Sequence, residues 1–305
     1  MTKVDQPEKL RPFTFHGIDL QFHAGDKNAT AECPFCGRSG KFSVNIETGL
    51  WRCFGCNEGD EKGKDVKGGN AVTFLRKLWE MSYEATNTEQ RKKLCVDRKL
   101  LNVETVVEWH LAYSVTTHNW LVPGYNADGK LTGLYQYDKS ADGKRMMLWP
   151  TPTMSHHLMG LSAYNPKAKI IFLCEGVWDG MVLWELLANC KEAGAEFVPT
   201  ANREASLLSQ CSVVCFPAAN TFFESWLPLF AGKTVNLMTQ NDHARKHPET
   251  GADIAPASYN GMKRIAQMMA KADNQPTEVN YLKWGDVGYD TNLPSGYDVR
   301  DYLNA

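Results

Sequence analysis

The sequence predicts a multi-domain protein of mixed α+β and α/β class: a small cysteine-built ribbon in front, a mixed strand-rich middle domain, and a C-terminal parallel sheet with flanking helices. Three observations predict it. Two Cys-x-x-Cys pairs stand near the N-terminus, short strands punctuated by Asp-Gly turns follow, and from Lys169 onward apolar strands alternate with amphipathic helices. A chain of 305 residues can bury more than one core, and changes of pattern divide it into residues 1–93, 94–166 and 167–305.

Composition narrows the class of function before any motif is read. The formal net charge of -2 argues against a protein that coats polyanions, while local basic patches can still hold nucleic acid. Apolar runs fall short of the roughly 20 residues of a membrane helix. The opening MTKVDQPEKLRPF lacks the apolar centre of a signal peptide, so the expectation is a cytoplasmic chain without membrane contact. Nine cysteines, an odd number in such a chain, speak against a disulfide framework. Five of them, Cys95, Cys174, Cys190, Cys211 and Cys215, lie among apolar residues and read as small buried hydrophobes.

The other four are Cys33, Cys36, Cys53 and Cys56, spaced C-x2-C-x16-C-x2-C. Gly37 and Gly55 ease the two knuckles, so two pairs of thiolates can converge tetrahedrally on one zinc ion. KFSVNI and LWRCF alternate as the strands of a hairpin with ETG as its turn, which makes the module a zinc ribbon. His16 and His23 fall outside the pattern and read as surface histidines. Phe35, Phe42, Trp51 and Phe54 among Arg38, Lys41 and Arg52 read in two ways, as a stacking and phosphate-binding face or as the ribbon's own core. Beyond the charged, glycine-rich loop NEGDEKGKDVKGGN, Asn70 caps a helix AVTFLRKLWEM with Val72, Leu75, Leu78 and Trp79 on one face.

The middle segment opens with a helix near Val103 to Trp109 and continues as NWLVPGY, LTGLYQY and RMMLW, joined by turns at Asp128-Gly129 and Asp142-Gly143. This is a curled antiparallel sheet. Lys139, Lys144 and Arg145 beside its second turn either line a nucleic-acid path or decorate a loop.

From Lys169 the pattern is strand IIFLC, helix VWDGMVLWELLANC, strands SVVCF and TVNLM, a helix near Ser258 to Ala272, and strand VNYLKW. In a parallel sheet functional groups collect at the carboxyl ends of strands. Glu175 sits at such an end, and a carboxylate leaving a buried strand is costly unless something uses it. Asp242 follows TVNLM, and Asp298 and Asp301 follow the last strand. Carboxylates converging there can hold magnesium, which prefers oxygen ligands.

The order of these parts resembles the TOPRIM-containing primases, both the bacterial DnaG-type enzymes and, more closely, the primase half of bacteriophage primase-helicases. CPFC with CFGC resembles the phage zinc-binding domain, and GGNAVTFL the helix after it. CEGVWDGMVLWEL resembles the TOPRIM glutamate motif with its following aspartate, here Asp179; VVCFPAAN resembles the next TOPRIM strand and DVRDYL the third acidic motif. The match spans nearly all of the chain. It implies a C-terminal TOPRIM domain, a middle that is the N-terminal part of an RNA polymerase domain, and synthesis of short RNA primers on single-stranded DNA for replication.

By the same resemblance, magnesium or manganese would be held by Glu175, Asp179, Asp242, Asp298 and Asp301. Glu175 is either a ligand or the acceptor of the attacking hydroxyl's proton, Lys144 and Arg145 contact phosphate, and the zinc module reads template bases. The implied partners are single-stranded DNA, ribonucleoside triphosphates and a replicative helicase. No G-x-x-x-x-G-K-[ST] loop occurs, so that motor is expected on a separate chain or in a continuation of this one. A phage protein of this kind works in the bacterial host's cytoplasm.

The sequence departs from the resemblance at the TOPRIM DxD triplet, which here reads Gln240, Asn241, Asp242. Gln240 can ligate through its carbonyl but brings no charge, so metal affinity is expected to fall. The stretch ARKHPETGADIAPAS is inserted before the next helix, and its Asp253 is a candidate replacement. Two other classes stay open: a non-catalytic single-stranded DNA-binding adaptor of a replisome, and a TOPRIM nuclease or topoisomerase-like enzyme.

Overall fold

A computed structural model of the chain describes residues 7–56, 68–139, 145–148, 157–190, 206–218, 221–285 and 289–303. The chain divides into two compact units, each drawn from separate stretches: Met1–Asn87, His110–Gly124 and Leu131–Ser155 in the first, Thr88–Trp109, Tyr125–Lys130 and His156–Ala305 in the second.

The first unit begins with a short helix α1 (Arg11–Phe15) and an antiparallel sheet of β1 (Asn28–Ala31), β2 (Phe42–Asn45) and β3 (Trp51–Cys53), in that order. The β2–β3 hairpin is the one the alternation predicts, with Phe42 opposite Cys53 and Val44 opposite Trp51. Helix α2 (Ala71–Ala85) follows, its start capped as expected: the Asn70 side chain accepts the Thr73 N–H at 3.0 Å. Phe42 and Trp51 are buried and stack at 5.4 Å, in contact with Phe13, Phe35 and Phe74. The Trp51 indole N–H donates to the Asn70 carbonyl at 3.0 Å, fastening β3 to the helix start. Of the two readings of the ribbon aromatics, these two residues are therefore core, while Phe54 remains half exposed with Arg52 5.0 Å over its ring.

The same unit holds a four-stranded sheet, β4 (Ala112–Tyr113), β5 (Trp120–Tyr125), β6 (Leu131–Lys139) and β7 (Arg145–Leu148), in sequence order. Pairing of β4 with β5 and of β6 with β7 is antiparallel. The turn after β5 is built as Asp-Gly predicts: Gly129 takes φ 73°, and the Asn126 side chain accepts the N–H groups of Asp128 and Lys130. The second turn, with Asp142, Gly143 and Lys144, lies outside the described residues, as does most of the charged loop after Cys56. Helix α2 lies against this sheet, with Trp79 Nε1 donating to the His110 carbonyl at 2.8 Å and Arg76 to that of Leu131 at 3.5 Å.

His16, expected at the surface, is fully buried instead. The chain turns inward after α1, and the His16 carbonyl accepts the Thr116 hydroxyl at 2.8 Å while Gln136 lies 3.4 Å from its Nδ1. Burial lowers its pKa to about 3, so the ring is neutral and acts as core. His23 is exposed, as predicted.

The second unit starts with α3 (Thr88–Arg98) and α4 (Val103–Glu108). Its centre is a parallel sheet of β8 (Ile170–Glu175), β9 (Cys211–Phe216), β10 (Thr234–Met238) and β13 (Glu278–Tyr281), ordered β13-β10-β8-β9. Helices α5 (Val177–Asn189), α6 (Ala257–Lys271) and α7 (Val299–Leu303) accompany it. Leu173, Val214, Phe216, Trp226, Leu237 and Ile265 belong to one buried cluster between strands and helices. The five scattered cysteines are buried as expected, Cys174 and Cys215 side by side in the β8–β9 register. The inserted stretch forms a hairpin of β11 (Arg245–Lys246) and β12 (Asp253–Ile254), with Lys246 opposite Asp253. The arrangement is the parallel sheet with flanking helices expected of a TOPRIM domain. Among the described residues, no helix is long and apolar enough to cross a membrane.

Candidate functional site

The four front cysteines converge. Gly37 takes φ 68° and its N–H donates to the Cys33 carbonyl at 2.8 Å, closing the first knuckle. The second is closed by the Cys56 N–H donating to Cys53 Sγ at 3.3 Å. Gly55 serves by its lack of a side chain, since a Cβ there would run into Arg38. All four sulfurs lie within 4.8 Å of one another, with Cys33–Cys56 at 3.8 Å and Cys36–Cys53 at 3.7 Å. Four sulfurs each ~2.3 Å from a zinc ion sit ~3.8 Å apart at the corners of a tetrahedron, so the donor set fits that ion. Burial pushes the Cys33 thiol up to about 12, so a cation binding there displaces its proton.

A second group lies at the carboxyl edge of the parallel sheet. The chain leaves β8 on one side to form β9 and returns on the other to form β10, making β8 the switch point of the strand order, where the ends of a parallel sheet leave a crevice. Glu175 is the last residue of β8, paired in register with Phe216 at the end of β9. Gly176, at φ 88° and ψ 147°, turns the chain into α5 through a conformation that favours glycine. That turn brings Asp179 into the first turn of α5, and Gly180 lets the helix lie against β9, where a Cβ would overlap the Cys215 sulfur.

Asp179 is 7% exposed and Asp298 3%. Burial first and the Asp298 charge second raise the Asp179 pKa well above the usual carboxylate range. Arg300 and the Gln240 amide work against that rise. Arg300 reaches Asp298 at 2.9 Å, and Gln240 Nε2 donates to Asp179 at 3.4 Å. Asp298 also caps α7, accepting the Asp301 N–H at 2.9 Å. The Asp242 carboxylate accepts the Ser258 N–H at 3.1 Å at the start of α6, while the Ser258 hydroxyl accepts the Gln240 N–H at 2.9 Å.

Thus Asp179, Asp298 and Gln240 meet, Glu175 stands at the strand end four residues before Asp179, and Asp242 is engaged with α6. Lys144 lies outside the described residues, and Arg145 is the first residue of β7. Among the described residues, the four thiols are the group of three or more such ligands already gathered for a metal. Two contributors escape a reading by residue type. Arg300 lies inside DVRDYL, where the carboxylates carry the motif and nothing in the pattern marks its charge. Asn241, the buried middle of the triplet, accepts the Asp290 N–H at 2.7 Å and donates to the Asp290 and Pro294 carbonyls at 3.0 Å, holding the loop that leads into Asp298.

No family model matches the chain, and no curated protein sequence matches it. Among solved structures it is similar to the zinc-binding and RNA polymerase domains of the Aquifex aeolicus primase, at 15% identity and TM-score 0.46, over 99% of this chain and 82% of that one. It is similar to the primase fragment of the bacteriophage T7 primase-helicase at 16% identity and TM-score 0.40, over 93% and 95%. The E. coli primase catalytic core superposes at 10% identity and TM-score 0.49, over 76% and 75%. At such identity the functional reading has to rest on the chain's own residues.

Proposed function

We propose that the chain is a DNA primase, joining ribonucleotides into short RNA primers on a single-stranded DNA template. The observation that carries this reading is the acidic carboxyl edge at the switch point of a parallel sheet, Glu175 with the buried Asp179 and Asp298, in a chain whose front holds a four-thiol ribbon. The order of sequence motifs supports it independently.

In this reading Glu175 accepts the proton of the attacking 3' hydroxyl or holds the metal that lowers its pKa. Magnesium or manganese, when bound, stabilises the attacking and leaving oxygens of the transferred phosphoryl group. The buried Asp179–Asp298 pair has oxygen donors and like-charge repulsion that such a cation relieves, which fits a hard ion. Gln240, donating to the Asp179 carboxyl, opposes part of the rise in its pKa and so eases its ionisation when a cation binds. Asp242 and Asp301 complete the acidic set, and Lys144 and Arg145 take phosphate. Residues 1–93 form the zinc-binding part, 94–166 the first part of the polymerase, and 167–305 the TOPRIM part. Phe54 under Arg52 offers the ribbon a face for template bases. The partners are single-stranded DNA, ribonucleoside triphosphates and a helicase on a separate or continuing chain. The workplace is the cytoplasm that holds the template.

Two observations favour a second reading, a DNA-binding adaptor without catalysis: Gln240 stands where a carboxylate is expected, and Arg300 partly neutralises Asp298. Labelled ribonucleotides, single-stranded DNA and magnesium, with Glu175→Ala as control, separate the readings. A ladder of short RNA that the control lacks supports the primase, cut template supports a nuclease, and binding without either product supports the adaptor.

A further inference from the structure

The carboxyl edge also carries aromatic and cationic side chains that metal chemistry does not use. Tyr259 lies in the first turn of α6, next to Ser258, and its ring is 6.0 Å from that of Tyr281, the last residue of β13. Lys263, one turn along α6, sets its ammonium 5.6 Å over the Tyr259 ring, and Lys283 sets its own 5.4 Å over Tyr281. Three residues past Tyr281, within about 11 Å along the chain, Trp284 stands 5.4 Å from Tyr297 and 6.3 Å from Tyr302. Tyr302 is 65% exposed and Tyr281 37%, and both lysines are exposed. β13 is an edge strand, paired among the described residues with β10 on one side only.

We propose that this strip binds single-stranded nucleic acid, stacking unpaired bases on Tyr281, Tyr302 and Trp284 and holding phosphates with Lys263 and Lys283. Flat faces with cations beside them match a strand that alternates bases and phosphates. A protein partner is the poorer fit, because lysine is depleted in protein interfaces while tyrosine alone is enriched there. In a chain of net charge -2, attraction for a polyanion has to come from local groupings such as this. The strip's task, guiding a strand along the edge that holds Glu175, rests on the primase reading; its binding chemistry does not.

The test is fluorescence anisotropy of labelled oligo(dT) and oligo(rU) with the full chain, across a range of salt and with no added divalent ion. Tyr281→Ala with Tyr302→Ala should weaken binding about thirtyfold or more through two lost stacks. Lys263→Ala with Lys283→Ala should lower the slope of log affinity against log salt by about 1.4, at ~0.7 per phosphate on a single strand. Lys271→Ala, at the far end of α6, should change neither. Preference of the strip for oligo(dT) assigns it to the template and preference for oligo(rU) to the product, and either result supports the proposal. The lysine pair is exposed, so that arm remains decisive if the tyrosine variant folds poorly. Unchanged affinity and salt slope would hand the strip to a protein partner and overturn the proposal, as would a parent chain that binds neither strand. Primer synthesis by the parent is scored separately, so the strip can fail while synthesis stands, and the reverse.

Discussion

Asp179 is where the sequence's most economical motif becomes thermodynamics. Its folded pKa lies above the unfolded value because burial and then Asp298 penalise the anion. The protonated side chain is therefore what the metal-free fold favours: the contribution is fully present below the unfolded pKa and is lost as pH rises through the folded one. Asp179→Asn should melt at a higher temperature than the parent at neutral pH and lose less stability between mildly acidic and neutral pH, checked by thermal melts at several pH values. Magnesium should raise the parent's melting temperature, by as much as ~2.7 kcal/mol of stabilisation at a hundred times its Kd, and should raise that of Asp179→Asn far less. Gln240→Asp places a further charge beside Asp179 and exchanges an amide donor for an acceptor. It should destabilise the metal-free chain and lower, by severalfold, the magnesium concentration for half-maximal activity. An unchanged magnesium requirement would remove position 240 from the ion's surroundings.

At the scale of elements, one carboxylate does a structural task that its motif hides. Glu185, on α5 and buried, accepts the Leu101 N–H at 2.6 Å, the Asn102 N–H at 2.7 Å and the Thr105 hydroxyl at 2.7 Å, fixing the start of α4. Glu185→Ala leaves those buried donors without an acceptor and should cost about 3 kcal/mol, read from urea melts, with Glu185→Gln milder. β8, α5, β9, β10, α6 and β13 were legible because apolar runs of strand length alternate with helical stretches, and the ribbon because cysteine spacing is specific, whereas the β11–β12 hairpin in the inserted stretch was not. Helix α3 was not legible: TEQRKKLCVDR buries Leu94 and Cys95 and shows almost no periodicity. Strand β1, NATA, carries a single β-branched residue, Thr30, and is held in place by pairing with β2. His16 and Asn241 were illegible for a shared reason. A polar residue reads as surface until the carbonyls and amides that meet it are known, and those come from distant segments. Of the acidic site, which strand end carries the carboxylate was readable, whereas the Asp179–Asp298 contact depends on a loop that Asn241 ties down.

The whole molecule shows how the front module must be tested. Helix α2 is shared property: its N-terminus is fastened to the ribbon through Trp51, while its other face hydrogen-bonds to the β4–β7 sheet through Trp79 and Arg76. A chain cut near residue 93 should therefore lose stability in that sheet along with the ribbon, and its inactivity would say little about template reading. Zinc removal probes the same dependence. One zinc per chain should be found by elemental analysis, and Cys53→Ser should shift tryptophan emission to the red as Trp51 leaves its aromatic cluster. Phe54→Ala with Arg52→Ala spares the core and should reduce starting of primers severalfold more than extension of a supplied RNA primer, because starting requires two free nucleotides to be held at once. Equal loss of both steps would take template binding away from that face. The central claim is that Glu175, at the end of β8, carries out nucleotide joining, and the most direct measurement is incorporation of labelled ribonucleotides on single-stranded DNA by the parent and by Glu175→Gln at matched magnesium, with melting curves of both. The account predicts short RNA from the parent, none above background from Glu175→Gln, and a melting temperature in the variant no lower than the parent's. A fully active Glu175→Gln chain, or a well-folded, zinc-loaded parent that joins nothing, would contradict it.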